Sequence, residues 1–268
     1  MKGTIFKILV LGAAVLTMGS AVMMVAYILI KGIPNINKEL FELEYTPDNL
    51  SMLPAIVSTL YMTVLALLMA VPVGICAAVY LSEYSSGRGF VVSAIRLTTE
   101  TLAGIPSIVY GLFGYIFFVI TLGWSYSLIA GAATLAVMVL PLIIRTSEEA
   151  VNSVPSGYRE GSFGLGAGKV HTIFKIILPC AMPGILSGII LAVGRIAGES
   201  AALIFTAGTV AQVPESIFDS ARTLSVHMYA LLSEGLYTEE AYAAAAVLLF
   251  LIAGINGLSW YIAKKIAL

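Results

Sequence analysis

Charge is scarce in this chain. Asp, Glu, Lys and Arg make up 11% of the 268 residues, where a soluble domain carries roughly 25%. The 14 basic and 15 acidic residues nearly cancel, leaving a formal net charge of −1. That balance gives nucleic acid nothing to bind. Two cysteines, Cys76 and Cys180, exclude a disulfide scaffold. Two isolated histidines, His171 and His227, with no acidic residues at ligand spacing, provide no metal site. Internal repeats and low-complexity tracts are also missing. What fills the chain instead is apolar: 59% hydrophobic residues and a mean hydropathy of +0.99. A chain of this composition needs lipid as its solvent, so it reads as an all-α, multi-pass membrane protein.

Six runs approach the ~20 apolar residues that a membrane crossing requires: 8–30, 55–81, 103–122, 128–144, 184–207 and 242–263. The first follows Lys2 and Lys7, as a secretory signal would. It exceeds the ~7–15 residues of a signal core and lacks a small-x-small cleavage site, so a retained helix is expected. Six crossings place both termini on one side, and the basic residues choose that side. Lys2, Lys7, Arg88, Arg96, Arg145, Arg159, Lys169, Lys175, Lys264 and Lys265 fall on the termini's side; Lys31, Lys38 and Arg222 fall on the other. The bias predicts cytoplasmic termini and a cytoplasmic loop over 147–182, with Cys76 and Cys180 as free thiols near that face. The outer loops, 31–54 and 208–241, are too short for separate folded domains, so residues 1–268 form one membrane domain. Pro72, Pro106 and Pro141 lie within predicted crossings, each removing a backbone donor and able to kink its helix.

The loop 147–182 is rich in Gly, at 157, 161, 164, 166 and 168. A short element followed by a turn at Gly166 would present Phe163 and Leu165 as apolar plugs. Val170, Ile173, Phe174 and Ile177 recur at helical spacing and predict an amphipathic surface helix, ended by Pro179 and Pro183 before the fifth crossing. Gly164 to Lys169 mimics a phosphate-cradling loop, but Phe163 stands where the P-loop needs Gly, and Val170 where it needs Ser or Thr. The chain therefore shows no nucleotide site of its own.

Glu160, Gly166, Ile176, Leu178 and Pro179 read as E-x5-G-x9-I-x-L-P. This spacing resembles the "EAA loop" with which permease subunits of ABC importers dock their ATPase. The alanines of the motif are Gly161 and Ser162 here; both are small, although Gly is weaker in a helix by about 1 kcal/mol. The resemblance assigns ATPase coupling to Glu160, Phe163, Leu165, Gly166, Ala167, Ile176, Leu178 and Pro179.

Two charges fall inside the fifth predicted crossing: Arg195, near its middle, and Glu199, at i+4 on the same helical face. A charge at that depth costs about 2.5–3.5 kcal/mol. The two form either a structural ion pair that locks the bundle or a polar lining for an anion pathway, since the Arg fork matches phosphate or carboxylate geometry. The stretches LAGIPSIVYGLFG (102–114) and LAVGRIAGESAA (191–202) resemble permease subunits of phosphate ABC importers. SARTLSVHMY (220–229) is similar to the PstA type more than to its PstC-type partner. This resemblance implies the six-helix type I importer permease fold (MetI-like) and passage of phosphate along Arg195 and Glu199, with Glu100, Ser107 and Tyr110 as further pathway residues. It also implies a heterodimer with a PstC-type permease, two ATPase subunits that use ATP and Mg, and an extracytoplasmic phosphate-binding protein. No cofactor on this chain and no catalytic role of its own are expected. Another oxyanion such as molybdate or sulfate, a secondary transporter or channel using Glu199, and a membrane-embedded enzyme remain as alternatives.

Overall fold

The computed structural model describes residues 2–85 and 89–266; Arg88, counted among the basic residues above, lies outside them. Every regular element among the described residues is helical. Helix α1 covers Lys2–Gly32 and α2 Leu53–Val79, the latter extended by a π-helical turn, Tyr80–Tyr84. Next come α3 (Phe90–Ala103), α4 (Ser107–Gly114) with a π turn at Tyr115–Thr121, and α5 (Leu128–Asn152). The Gly-rich loop holds α6 (Ser156–Gly164) and α7 (Lys169–Thr172). A π turn, Ile173–Ile177, leads into α8 (Leu178–Ala197), followed by α9 (Ala201–Ile204), α10 (Leu224–Glu234) and α11 (Thr238–Ile266). Among the described residues five helices are long and apolar enough to cross a membrane, and the bent pair of α3 and α4 makes a sixth when counted as one span.

The bundle core is α5, wrapped by α2 and α8. Most of α5 is buried, including Ala132, Leu135, Met138, Val139 and Ile143. Small residues allow the close approach. A Cβ on Gly74 of α2 would stand 2.6 Å from Ile143 Cγ2, and one on Gly184 of α8 would stand 2.6 Å from Ala150 Cβ. With no hydrophobic drive between helices in lipid, such small-residue contacts give dispersion its purchase. By contrast, none of the apolar window of α1 is buried within the chain. It meets α11 near its end, where the Tyr27 and Tyr242 rings lie edge to face at 5.9 Å.

The structure revises four of the sequence expectations. First, α5 does not stop at 144 but runs to Asn152, because nothing between Arg145 and Asn152 breaks a helix and Pro155 is the first residue that does. Second, Pro179 and Pro183 do not end a separate surface helix. The chain is helical without interruption from Lys169 to Ala197, and the missing N–H of Pro179 falls at the junction of the π turn and α8, where the α-helical ladder is already interrupted. Third, the third crossing is bent by 106° at residues 104–106, with Pro106 outside either helix as the N-cap of α4. Tyr110 clamps this bend, its hydroxyl donating to the Leu102 carbonyl at 2.8 Å. Pro72 and Pro141 lie inside continuous helices as expected. Fourth, the fifth crossing does not continue to 207 as one helix: α8 ends at Ala197, and Gly198–Ser200 separates it from α9.

Candidate functional site: a charged cavity and an exposed loop

Helices α3, α5 and α8 enclose a cavity of about 540 Å³. Its wall carries charge of both signs: Arg96 and Glu100 from α3, Arg145, Glu148 and Glu149 from α5, and Arg195 from α8. Four of these charges neutralise one another. Arg96 binds Glu148 through Nε at 3.1 Å and Nη2 at 2.6 Å. Arg145 donates from Nε to Glu149 at 3.0 Å, one helical turn away and largely exposed, a pair of little energetic weight. Arg195 has no such partner: among the described residues no ion pair or hydrogen bond holds its guanidinium. The Tyr110 hydroxyl lies within its electrostatic range.

Helix pairing fixes the depth of Arg195. Gly184 lies against Ala150 and Gly188 against Thr146, so α8 runs antiparallel to α5. Two turns beyond Gly188, Arg195 reaches the level of Met138, Pro141 and Leu142, which share the cavity wall with it. That is midway along α5. From there the lining extends along α5 past Glu148 and Glu149 to Asn152, near the end of the bundle that carries the Gly-rich loop.

The expected partnership of Arg195 with Glu199 is not formed. The i+4 argument required one continuous helix, and α8 ends between them. The Glu199 carboxylate instead accepts from the Ala202 amide at 3.2 Å, and its backbone carbonyl accepts from the Ser225 hydroxyl. Glu199 thus ties the α8–α9 break to α10 and lies outside the cavity wall. Of the five pathway candidates, Arg195 and Glu100 line the cavity; Ser107, Tyr110 and Glu199 do not. Arg96, Arg145, Glu148 and Glu149 were missed. Their signal was present, since Glu148 and Glu149 follow Arg145 at i+3 and i+4, but it is legible only once α5 is extended beyond residue 144.

At the loop end of the bundle, α6 stands out from the core. Leu165 is 91% exposed and Phe163 46% exposed. Glu160 is exposed and Ala167 is half-buried. Gly166 has φ +82°, the left-handed region that Gly enters without steric cost, and this turn holds the two apolar side chains outward. Ser162 is buried, and its hydroxyl shares a 2.8 Å hydrogen bond with that of Thr172. Gly161, by contrast, faces open space. Ile176 and Leu178 pack partly against the cluster of Val151, Val154, Ile177 and Ala181, while Pro179 is exposed. Cys76 and Cys180 are free and exposed.

At the opposite end, His227 of α10 is buried. Burial holds its imidazole well below the ordinary value, at about 4; the nearby Arg222 charge adds to this, and the Leu50 backbone opposes it. Arg222 reaches the His227 Nδ1 at 3.4 Å and lies over the Tyr45 ring.

Known proteins share this architecture. The chain is similar to the inward-facing MetNI methionine ABC transporter, with a TM-score of 0.68 and 22% identity over 83% of this chain and 99% of that one. It is also similar to a bacterial alginate ABC transporter solved with an alginate pentasaccharide-bound periplasmic protein, with a TM-score of 0.71, 17% identity and 96% and 95% coverage. At these identities the likeness shows the fold, the type I importer permease fold expected above. Among curated proteins it is 36% identical to the probable ABC transporter permease protein YqgI of Bacillus subtilis, covering 74% of this chain and 73% of that protein. It is 38% identical to the phosphate transport system permease protein PstA of Mycobacterium leprae, covering 75% and 67%. The family described as binding-protein-dependent transport system inner membrane component matches residues 70–266. With its apolar helices, its protruding α6 and its charged cavity, the chain is a multi-pass membrane permease that belongs to the family of binding-protein-dependent transport system inner membrane components.

Proposed function

We infer that this chain is the permease subunit of an ATP-driven importer and forms part of the pathway for inorganic phosphate. One observation carries the choice of substrate class: a guanidinium without a carboxylate partner, midway through the bundle, in a cavity whose other arginines are neutralised. An unpaired Arg there is costly unless an anion visits it, and its fork suits a tetrahedral oxyanion. The relatives named phosphate transport system permease protein PstA, at 37–38% identity, support phosphate within that class.

Arg195 is the principal pathway residue in this reading, with Glu100 beside it and Ser107, Tyr110 and Glu199 shaping the bend and break around it. Glu160, Phe163, Leu165, Gly166, Ala167, Ile176, Leu178 and Pro179 serve the ATPase contact, with Phe163 and Leu165 as the inserted groups. The loop end of the bundle and both termini face the cytoplasm, in keeping with the bias of Lys and Arg. The functional assembly pairs this chain with a PstC-type permease, two ATPase subunits and an extracytoplasmic phosphate-binding protein, in lipid of the cytoplasmic membrane. ATP and Mg are used by the ATPase; this chain holds no cofactor and is not itself catalytic.

The test is uptake of radiolabelled phosphate by the complete reconstituted complex, with unlabelled phosphate, sulfate or molybdate as competitor. Phosphate alone should compete. Equal competition by sulfate or molybdate would assign the pathway to another oxyanion.

A further inference from the structure

Three contacts hold the protruding loop in place, and two of them converge on one short segment outside it. Arg159 of α6 donates from Nε to Glu83 at 2.8 Å, with Nη2 at 2.7 Å from the same oxygen. Its Nη1 and Nη2 also donate to the carbonyls of Val154 at 2.8 Å and Val151 at 3.0 Å, at the end of α5. The Lys169 ammonium, at the start of α7, lies 4.5 Å above the Tyr84 ring. The third contact, Ser162 with Thr172, closes the loop on itself. Glu83 and Tyr84 both belong to the π turn that ends α2.

That turn also contributes one residue to the cavity wall. Leu81, two residues before Glu83, is buried and lines the same cavity as Arg195. The Glu83 side chain is 9% exposed and that of Arg159 21% exposed, so this pair is shielded from solvent. The Arg145–Glu149 pair, at 70% and 64%, is open to screening. A guanidinium with a carboxylate on one edge and two helix-end carbonyls on the other has little freedom to swing. Displacing α6 must therefore displace the end of α2 or break several charge-assisted hydrogen bonds.

We propose that the Arg159–Glu83 ion pair is the strut that carries movement of the α6 handle into the cavity wall, Arg159 and Glu83 acting as positioning residues for transport. The proposal rests on the reading of α6 as the ATPase contact. Movement enters at Phe163 and Leu165, passes through Arg159 to Glu83, and reaches Leu81 through the π turn. A π turn suits this role, because its looser hydrogen-bond ladder can shift register where a regular helix would not.

The test uses the complete complex in proteoliposomes, with phosphate transported per ATP hydrolysed as the readout. Glu83→Gln keeps an acceptor and removes the charge. It should leave the complex assembled, leave a Leu165→Cys crosslink to the ATPase intact, and lower transport per ATP several-fold. In the double variant Glu83→Gln with Arg159→Gln, the ratio should fall no further than in the more affected single variant, since both changes cut one strut. If Glu83→Gln does not assemble, Arg159→Lys is read by the same ratio and should also lower it, because an ammonium cannot reach the carboxylate and both carbonyls together. A purely structural role would reduce the amount of complex without moving the ratio. An unchanged ratio in the assembled variants, or losses that multiply in the double variant, would overturn the strut. Absence of the Leu165 crosslink in an otherwise wild-type complex would overturn the handle itself, a different failure.

Discussion

Leu165 offers a clean separation between a handle and an ordinary solvated loop. Its side chain is 91% exposed, so it contributes almost nothing to the stability of this chain. Leu165→Ala should leave expression, membrane insertion and thermal stability unchanged. If the side chain inserts into the ATPase, the same substitution removes three carbons from a buried interface. At about 0.8 kcal/mol per buried carbon group the loss is about 2.4 kcal/mol, or roughly fifty-fold in affinity, a tenfold change being about 1.4 kcal/mol. Leu165→Asp should weaken binding further by burying a charge. Both are read by titrating purified ATPase against the permease pair in detergent or nanodiscs. Wild-type ATPase affinity in Leu165→Asp would refute the assignment of α6 as the handle.

Gly166→Ala should cost about 1–2 kcal/mol locally, because φ +82° is a left-handed conformation; it should raise proteolytic cleavage of the 153–169 loop before any partner is added. Gly184→Leu should prevent stable folding, since even a Cβ there stands 2.6 Å from Ala150, whereas Gly161→Leu, facing open space, should fold normally; yield and thermal denaturation in detergent distinguish the two. His227 binds its proton less readily when folded, with a value of about 4 against an ordinary 6.5. The unfolded chain takes up more protons between those values, so stability is constant above about pH 6.5 and falls as pH drops toward 4, by about 3 kcal/mol in total. His227→Asn should flatten that part of the stability–pH curve. In a background lacking Cys76 and Cys180, Leu165→Cys should resist an impermeant thiol reagent in intact cells and Leu236→Cys, at a position 80% exposed, should react; the reverse pattern would invert the proposed orientation.

The crossings were legible because lipid imposes a long apolar run on each one, and a single feature, composition, reports it. The turn at Gly166 was legible for another reason: a glycine between two short helical segments marks a local reversal, and φ is +82° there. What failed to show was whatever depended on where a helix ends. Arg195 and Glu199 look like an i,i+4 pair on any helical projection. Gly198, which marks the end of α8, is as readily taken for a packing glycine. The extension of α5 through Arg145, Glu148 and Glu149 was hidden by the same polarity that makes those residues useful, since charged residues after an apolar run look like a loop. Pro179 misled in the opposite direction, because a π turn absorbs it. Ser162 stands where the resemblance to the EAA loop expects Ala, and its burial and hydrogen bond to Thr172 depend on the fold of the loop and not on the spacing.

In the proposed function, phosphate passes Arg195. Among the described residues no carboxylate pairs with Arg195, so Arg195→Met needs no compensating change: it strands no ion-pair partner there. The deciding measurement is radiolabelled phosphate uptake by the complete complex carrying Arg195→Met, normalised to assembled complex, with Arg195→Lys alongside. Assembly should be normal in both. Uptake should be lost in Arg195→Met and only partly restored in Arg195→Lys, where a point charge replaces the fork. Near-normal uptake by an assembled Arg195→Met complex would remove Arg195 from the pathway.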